Sequence, residues 1–351
     1  MCLPFSSSIL PISLLLLISA NLMADTSAAS VSPTSSPTEL EARINDILQQ
    51  ARIPGLIGAV VHGDQVVWQG ALGIADRSSN RPVTTSTQFR IGSVSKIFIS
   101  LTVLRLVEQG SLSLQDPLRG LVPEIGIKNP WEKSDPVRLV HVLEHTSGFD
   151  DLRFHDYASN TAGHTLLEGL RNNIGSKHSR WRPGSRAAYS NIGPFTAALA
   201  IENVTAMPYK DSATREVFDP LGMSSAKFDA TGPDLAISHG FDGTPIPFSH
   251  LSVRPGGALS VTSDDMIRLL RFFHGRGTVD GRTILTSASV HRMERPKSLL
   301  AAGAGIRLGM GLGNTATVRD GFLFQGHTGG IESSPLHLPI CRSMAGDTFS
   351  P

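Results

Sequence analysis

The first hundred residues change from a helical to a strand-like spacing of apolar positions. Apolar side chains recur at helical spacing at Leu40, Ile44, Ile47 and Leu48. Thr38 followed by Glu41 fits a capping box, so the spacing predicts a first helix that ends at about Ala51. Two β-rich runs, LIGAVV and QVVWQGALGIA, lie on either side of HGDQ, whose Gly-Asp pair suits a tight turn. The pattern therefore predicts a helix followed by an antiparallel hairpin.

The segment from about residue 96 to 225 has mainly helical spacing. The stretch KIFISLTVLRLVEQG is apolar on nearly every side, which predicts a buried central helix that ends at Gly110. Helical patterns follow in FTAALAIENVT, KDSATREVF and SDDMIRLLRFFHGRG, and GFLFQGHTGG again has the composition of a strand. Strands near both ends with helices between them predict an α+β fold, in which one antiparallel sheet is flanked by helices and carries an inserted, mainly helical lobe.

The N-terminal segment differs in composition from the rest of the chain. The apolar run SILPISLLLLISANLMA is short for a bilayer span, so residues 1–24 are predicted to be a secretory signal peptide, with an uncleaved anchor as the alternative. Residues 25–38 are small, polar and rich in proline, which predicts a flexible linker before a domain at 39–330. The mature protein is expected to be secreted or periplasmic, without a stable membrane span. Cys2 would leave with the signal, so Cys341 would have no disulfide partner within the chain.

Composition and charge narrow the classes of partner. The 351 residues are 40% hydrophobic and 17% charged, which is enough apolar material for a substantial core. The net charge is +1 and the charged residues are scattered, so neither a nucleic-acid-binding surface nor a polybasic membrane patch is predicted. We expect a small-molecule or peptide substrate and no cofactor. The sequence does not predict an oligomeric state.

Ser93 and Lys96 lie three positions apart where the buried helix begins, in RIGSVSKIF. A lysine in low-dielectric surroundings loses proton affinity, and at this spacing it shares a helix face with the serine hydroxyl. It can therefore act as the base that activates the serine. Helix amide groups near Ser93 also point toward a developing negative charge. For an isolated S-x-x-K, the more common alternative is an N-cap serine beside a lysine that reaches to the surface.

Two further motifs in the same chain order favour the catalytic interpretation. YSN occupies residues 189–191, and HTGG occupies residues 327–330 at the end of the late strand. Together with S-x-x-K they match the three-element pattern of penicillin-recognising serine enzymes. The chain resembles the serine β-lactamase-like hydrolases, in the branch of class C β-lactamases, D-alanyl-D-alanine carboxypeptidases and esterases. Similar stretches from about residue 40 to 330 are FRIGSVSKIF, LVEQGSLSLQDPL, HVLEHTSGF, RPGSRAAYSNIG, DPLGMSSAKF and RPGGALSVTSDDM.

The resemblance implies a catalytic role for the first two motifs. Ser93 would be the acylated nucleophile, Lys96 its proton-transfer partner and Tyr189 a second general acid or base. Asn191 would orient Lys96 and the substrate carbonyl. A phenol is a plausible proton shuttle when a nearby cation lowers its pKa, and Lys96 is the available cation.

The third motif is implied to bind the substrate. The backbone N–H groups of Ser93 and Gly330 would form the oxyanion hole, and Thr328 and Gly329 would line the strand edge along which an extended substrate pairs. His327 stands where the β-lactamases and many peptidases of the family carry a lysine that helps hold the substrate carboxylate. Imidazole is a weaker, pH-dependent anchor for an anion. The resemblance therefore favours an ester or amide hydrolase that forms an acyl-enzyme over a dedicated β-lactamase. A β-lactam or D-Ala-type substrate is the narrower possibility, and a strand-end histidine that faces water is the alternative for His327.

A second signature competes for one segment. HVLEH, residues 141–145, matches the H-x-x-E-H pattern of a zinc metallopeptidase. The same residues belong to the HVLEHTSG stretch that the serine-hydrolase resemblance explains as structural, so no metal site is predicted. The α/β-hydrolase nucleophile motif G-x-S-x-G does not occur in the sequence.

The 21 residues after Gly330 depart from the resemblance. The related fold needs two more strands and a closing helix, whereas Pro335 and Pro339 fall where a central strand should run and no amphipathic stretch follows. Residues 331–351 are therefore predicted to be an aberrant tail, produced by a truncation or a change of reading frame, with the final strands and helix missing. This raises a second class of function, namely a catalytically inactive remnant or penicillin-binding-type protein.

Overall fold

The structure is a computed structural model that describes residues 36–152, 158–159, 165–240, 242–251, 254–306, 308–319, 322–331 and 334–342. The predicted signal peptide, most of the predicted linker and the tail after residue 342 lie outside the described residues. None of the helices in these ranges is both long and apolar enough to cross a membrane.

Eleven α-helices occur in the described residues. Their bounds are α1 Pro37–Gln50, α2 Ser95–Glu108, α3 Leu118–Leu121, α4 Leu139–Leu143, α5 Leu166–Asn172, α6 Ile192–Thr205, α7 Tyr209–Ala213, α8 Asp219–Leu221, α9 Ser263–His274, α10 Ser287–Glu294 and α11 Leu300–Gly303. Short 3-10 turns span Gly92–Val94, Pro123–Ile125 and Ile174–Lys177, and a π-type turn spans Thr214–Phe218.

The described strands pair antiparallel in five small sheets. Their bounds are β1 Gly55–His62, β2 Gln65–Asp76, β3 Arg81–Pro82, β4 Phe89–Arg90, β5 Ala158–Ser159, β6 Lys227–Phe228, β7 His250–Leu251, β8 Leu259–Val261, β9 Thr278–Val279, β10 Arg282–Thr283, β11 Gly309–Met310, β12 Thr315–Arg319, β13 Phe322–Ile331 and β14 Ser334–Arg342. The strand orders are β1-β2-β3, β4-β8-β6, β5-β7, β10-β9 and β11-β12-β13-β14. This mixture of helices and antiparallel sheets confirms the α+β prediction.

Helix α1 packs on the hairpin of β1 and β2, as the sequence predicts. The predicted cap at Thr38 is wrong, because Ser36 is the N-cap and its side chain accepts a hydrogen bond from the Glu39 N–H at 3.2 Å. The helix can begin at Pro37 because the first helical nitrogen needs no partner. The buried residues of this contact are Ile44, Leu48 and Trp68.

Helix α2 runs through the main hydrophobic core. Eleven of its fourteen residues are buried, on all sides of the helix, which confirms the prediction from its uniformly apolar sequence. Phe98 meets Phe218 edge to face, with 5.3 Å between the ring centroids. Burial of one such side chain stabilises a fold by about 1.5–3 kcal/mol, so α2 is held firmly by its surroundings. Lys96, in the first turn of α2, is buried with the rest.

The mainly helical lobe lies between the N-terminal and C-terminal strands, with α3 to α8 inside it. The expectation of a single sheet is wrong for the described residues, because β1-β2-β3 and β11-β12-β13-β14 form separate sheets. No described strand forms hydrogen bonds with both sheets, and β1 and β14 are each the edge strand of their own sheet.

The chain forms a strand after Gly330, which corrects the expectation that the tail could not supply one. β14 pairs antiparallel with β13 over its whole length. Pro335 and Pro339 are four residues apart, so their nitrogens lie on the same side of β14. Among the described residues β14 is an edge strand, and one side of an edge strand needs no donor from the backbone, which makes proline tolerable there.

Candidate active site

Ser93 lies in the 3-10 turn that leads into α2. Gly92 has a φ of +52°, a left-handed conformation that favours glycine, and this bend turns the chain from β4 toward the helix. The Ser95 hydroxyl fixes the turn by donating to the Gly92 carbonyl at 2.6 Å. Ser93 is half-buried, whereas Gly92 and Val94 are buried, so the Ser93 hydroxyl is the accessible group of the turn.

The Ser93 hydroxyl is hydrogen-bonded to two groups that can accept or return its proton. Lys96 Nζ lies 2.9 Å from Ser93 Oγ, and Tyr189 Oη lies 3.0 Å from the same oxygen. Lys96 Nζ also donates to the Gly256 carbonyl at 3.1 Å. The structure thus brings together the three side chains that the sequence motifs singled out for catalysis, and it adds a backbone carbonyl as a further partner of the lysine.

Burial controls the protonation of Lys96. Its side chain is only 1% exposed, and its nitrogen lies 5.3 Å from the ring centroid of Tyr189 and 5.6 Å from that of Phe195. Desolvation lowers the Lys96 pKa from its ordinary value of 10.5 to about 7, while the negative charge of Asp151 acts in the opposite direction. A neutral amine is therefore available as a base near pH 7, which confirms the predicted loss of proton affinity.

No sequence motif assigned a role to the Gly256 carbonyl. Gly256 belongs to the RPGG loop before β8, and a Cβ at this position would lie 2.2 Å from an atom of the Phe195 ring. In the same loop, Arg254 pairs with Asp229 at 2.7 Å between Nε and Oδ2. Glycine therefore lets the loop approach α6 closely enough for its carbonyl to meet Lys96. The two adjacent glycines in RPGGALSVTSDDM were the only sequence feature that could have pointed to this loop. The role of a backbone carbonyl cannot be recognised from the residue type.

His145 stacks on the Tyr189 ring, with 4.5 Å between the ring centroids and an interplanar angle of 25°. Its Nδ1 accepts a hydrogen bond from the Ser190 N–H at 3.2 Å, so the neutral ring carries its proton on Nε2. Burial, followed by the charges of Lys96 and His327, lowers the His145 pKa to about 3. His145 is therefore an uncharged ring that positions Tyr189, a role that its place in HVLEHTSG did not reveal.

The other members of the HVLEH motif make structural contacts. Glu144 is fully buried, pairs with Arg292 at 2.6 Å and accepts the Ser298 N–H at 2.6 Å. His141 Nδ1 accepts a backbone N–H at the start of α4 at 3.1 Å. Within the part of the chain that the structure describes, no group of three or more His, Cys, Asp and Glu side chains could hold a metal ion. The contacts of Glu144, His141 and His145 therefore give the zinc alternative no geometric support.

Strand β13 passes the Ser93 turn at very short range. A Cβ on Gly329 would lie 3.0 Å from the Ser93 nitrogen, and a Cβ on Gly92 would lie 2.7 Å from the Gly330 nitrogen. Only glycines let the two backbones come this close. The backbone N–H groups of Ser93 and Gly330 thus belong to two segments in direct contact, and their role as an oxyanion hole stays a prediction.

His327 is buried beside the catalytic groups, so the alternative of a histidine facing water is wrong. It is 8% exposed, its Nδ1–H donates to the Thr328 carbonyl, and its ring centroid lies 6.0 Å from that of Tyr189. Burial, followed by the charge of Lys96, lowers the His327 pKa to about 4. The imidazole is therefore uncharged at neutral pH. Thr328 is exposed on the same strand, where a substrate could reach it.

Asn191 binds a different partner from the one that the resemblance implied. Its backbone N–H donates to Asp151 Oδ1 at 2.8 Å, and its side-chain amide donates to both carboxylate oxygens at 3.1 Å. No hydrogen bond in the described part of the chain joins Asn191 to Lys96, and the buried Asn191 Oδ1 has no partner there. The expectation that Asn191 orients Lys96 directly is therefore wrong here, because Ser93 and the Gly256 carbonyl accept the bonds from the amine.

The fold is α+β, and Lys96 and Tyr189 are both hydrogen-bonded to Ser93 where the buried helix α2 begins. This is the arrangement of the penicillin-recognising serine hydrolases. The chain belongs to the beta-lactamase family, whose model matches residues 40–336. This confirms the family that the motifs indicated, and the match ends within β14. Proteins of this family act on small-molecule or peptide substrates.

Two curated relatives illustrate the range of the similarity. Esterase EstB of Burkholderia gladioli is 30% identical over 235 residues, which cover 64% of this chain and 59% of the esterase. Protein Rv1367c of Mycobacterium tuberculosis is 24% identical over 323 residues, which cover 80% of this chain and 79% of that protein. The chain thus aligns with less than two thirds of the esterase. The family and the esterase support a serine hydrolase-type function in general.

Solved structures share the fold at lower sequence identity. An octameric penicillin-binding protein homologue from Pyrococcus abyssi superposes with a TM-score of 0.72 at 24% identity, covering 84% of this chain and 68% of that chain. EstCE1, a hydrolase with promiscuous acyltransferase activity, gives a TM-score of 0.65 at 22% identity, covering 82% and 90% of the two chains. At these identities the likeness concerns the fold alone.

The protonation state of Lys96 predicts the pH dependence of the acylation rate. The base must be neutral to accept the serine proton, so kcat/KM for an uncharged ester should rise with pH through a midpoint at about 7 and then level off. The two histidines are already neutral there, since their pKa values are about 3 and about 4. Initial rates from pH 3 to 9 measure this, and a midpoint below 5 would point to a histidine base instead.

The close approach of Gly256 predicts that Gly256→Ala disrupts the site. The added methyl group meets the Phe195 ring, so the carbonyl that accepts from Lys96 must move. We expect kcat/KM to fall by about 10- to 100-fold, since small misplacements of catalytic groups have effects of this size. Gly120→Ala is the matched control, because a Cβ there meets nothing within 4 Å. Equal activity of the two variants would refute the positioning role of the carbonyl.

Proposed function

We propose that the protein is a serine hydrolase that cleaves an ester or amide bond of a small molecule through an acyl-enzyme on Ser93. The observation that carries the proposal is the pair of hydrogen bonds to Ser93 Oγ, from Lys96 at 2.9 Å and from Tyr189 at 3.0 Å. The similarity to an esterase supports the same reaction class.

The proposed reaction begins with proton transfer from Ser93 to the neutral amine of Lys96, while Ser93 Oγ attacks the substrate carbonyl. The negative charge that develops on the carbonyl oxygen would be met by the backbone N–H groups of Ser93 and Gly330. Tyr189 would then pass its proton to the leaving group and regain a proton from Lys96, so that both groups return to their starting states as the acyl-enzyme forms. A water molecule, activated by the same basic groups, would release the acid and restore Ser93.

The charge of the site favours a substrate without a carboxylate near the scissile bond. His327 is neutral at pH 7, because burial and Lys96 lower its pKa to about 4. A neutral imidazole offers an anion only a hydrogen bond and no opposite charge. The negative charge of Asp151, which raises the Lys96 pKa, would also repel an anionic substrate group. We therefore rank neutral esters and amides above β-lactams and D-Ala-type peptides as substrates.

Covalent labelling tests the nucleophile. Folded protein incubated with an activated fluorescent ester, and separately with a fluorescent penicillin, should become labelled on one serine, which peptide mass spectrometry identifies as Ser93. Ser93→Ala should lose the label completely. Ser111→Ala is the matched control, because Ser111 is exposed and lies outside the site.

The labelling experiment also distinguishes the second class of function. Folded wild-type protein that takes up neither reagent, with an intact melting transition by circular dichroism, would contradict the proposed enzyme. That result would instead favour the catalytically inactive remnant. Labelling that persists in Ser93→Ala would show that another residue is the nucleophile.

The uncharged state of His327 predicts how the substrate preference can be changed. The test uses two substrates that are identical except beside the scissile bond, where one carries a free carboxylate and the other its methyl ester. We expect kcat/KM to be at least about tenfold higher for the methyl ester. His327→Lys places a cation at this position and should lower KM for the carboxylate member alone. A wild-type enzyme that prefers the carboxylate would contradict the ranking.

A further inference from the structure

Asp151 is a carboxylate at the site that neither the sequence motifs nor the family resemblance assigned. We propose that Asp151 is a positioning residue, which holds Asn191 in place at the catalytic site and whose negative charge acts on the catalytic amine. The inference rests on the proposed function, since it concerns the same serine and lysine.

The hydrogen bonds of Asp151 fix both its own position and that of Asn191. Its Oδ1 accepts the Asn191 N–H at 2.8 Å and the Leu152 N–H at 2.7 Å, and both carboxylate oxygens accept from the Asn191 amide at 3.1 Å. The Asp151 carbonyl accepts the Ser176 hydroxyl at 2.8 Å. Hydrogen bonds to an ionised carboxylate are about twice as strong as those between neutral groups. The loop after α4 is therefore tied to Asn191, the residue that precedes α6.

Asp151 is also the negative charge that acts on Lys96. The other titratable groups near the amine are His145 and His327, which are neutral near pH 7, and Tyr189, whose ring faces the amine at 5.3 Å. Burial alone would push the Lys96 pKa further down than about 7, and Asp151 opposes it. A base is most effective when its pKa lies near the working pH, so this charge keeps Lys96 strong enough to take the serine proton.

The neighbouring residue provides a matched control. Asp150 lies on the same loop, but its side chain is 61% exposed and pairs with Arg180 at 3.1 Å. Asp150 is not among the groups that shift the Lys96 pKa. Asp150→Asn and Asp151→Asn therefore remove the same charge one residue apart, and only the second should affect the amine.

A titration of Lys96 tests the charge directly and needs no activity. NMR of protein labelled at the lysine side chains, with the Lys96 signal identified by its loss in Lys96→Ala, gives its pKa in each variant. Asp151→Asn should lower that pKa by about one unit, because an opposite charge is lost, while Asp150→Asn leaves it unchanged. An unchanged pKa in Asp151→Asn, with a melting curve that shows a folded protein, would overturn the assigned charge.

Kinetics test the positioning of Asn191. Asp151→Asn keeps one oxygen that accepts from Asn191 but loses the charge, so its acid limb should move to lower pH by the same unit and its plateau kcat/KM should fall less than that of Asp151→Ala. Asp151→Ala removes the acceptor as well, so Asn191, which the resemblance assigns to the substrate carbonyl, loses its anchor and the plateau should fall by about 100-fold. If Asp151 had only a structural role, its substitution would lower kcat/KM without moving the acid limb of the pH profile. If the plateau kcat/KM of Asp151→Ala equalled that of the wild type, the positioning role would be overturned. A wild-type protein without Ser93-dependent activity would instead refute the proposed function, and the titration would still decide the charge.

Discussion

The hydrogen bond between Lys96 Nζ and Ser93 Oγ lies in surroundings that penalise the ammonium form of the lysine. The Lys96 pKa is lowered from 10.5 to about 7. Relative to a lysine in water, the ammonium form is therefore disfavoured against the neutral amine by about 5 kcal/mol. That amount is comparable with the whole stability of a marginal domain, so the fold must hold the amine in place by other means. The core around α2 does so, because the helix is buried on all sides and its first turn cannot move without opening the core.

Two loops and one strand from distant parts of the chain meet around this first turn. The RPGG loop brings the Gly256 carbonyl to the amine, and the HTSG segment brings His145 under Tyr189. Strand β13 brings Gly329 and Gly330 against the serine turn. Each approach is made at a position where a larger residue would clash or where a buried polar group finds its partner. The site is thus assembled by packing and by backbone contacts as much as by the three catalytic side chains.

The sequence predicted the elements whose signal is local. The uniformly apolar α2, the hairpin of β1 and β2, and β13 were all predicted, because their periodicity reports burial directly. Ser93, Lys96 and Tyr189 were found through motif order. Apart from the N-cap of α1, the predictions that failed depended on neighbours in space. Pro335 and Pro339 argue against a central strand but are compatible with an edge strand, and only the sheet order distinguishes the two.

The amino-acid sequence by itself determined the family, the buried helix with its serine and lysine, and the three motifs, since each is written in residues close together along the chain. The tertiary structure alone decided which partners these residues have. In the structure, Asn191 is hydrogen-bonded to Asp151 and not to Lys96. His145, which the HVLEH motif offered as a metal ligand, stacks on Tyr189, and His327 is buried in its neutral form. The physical reason is that desolvation and hydrogen-bond geometry depend on what packs around a group, and those neighbours come from segments as far apart as residues 93 and 330.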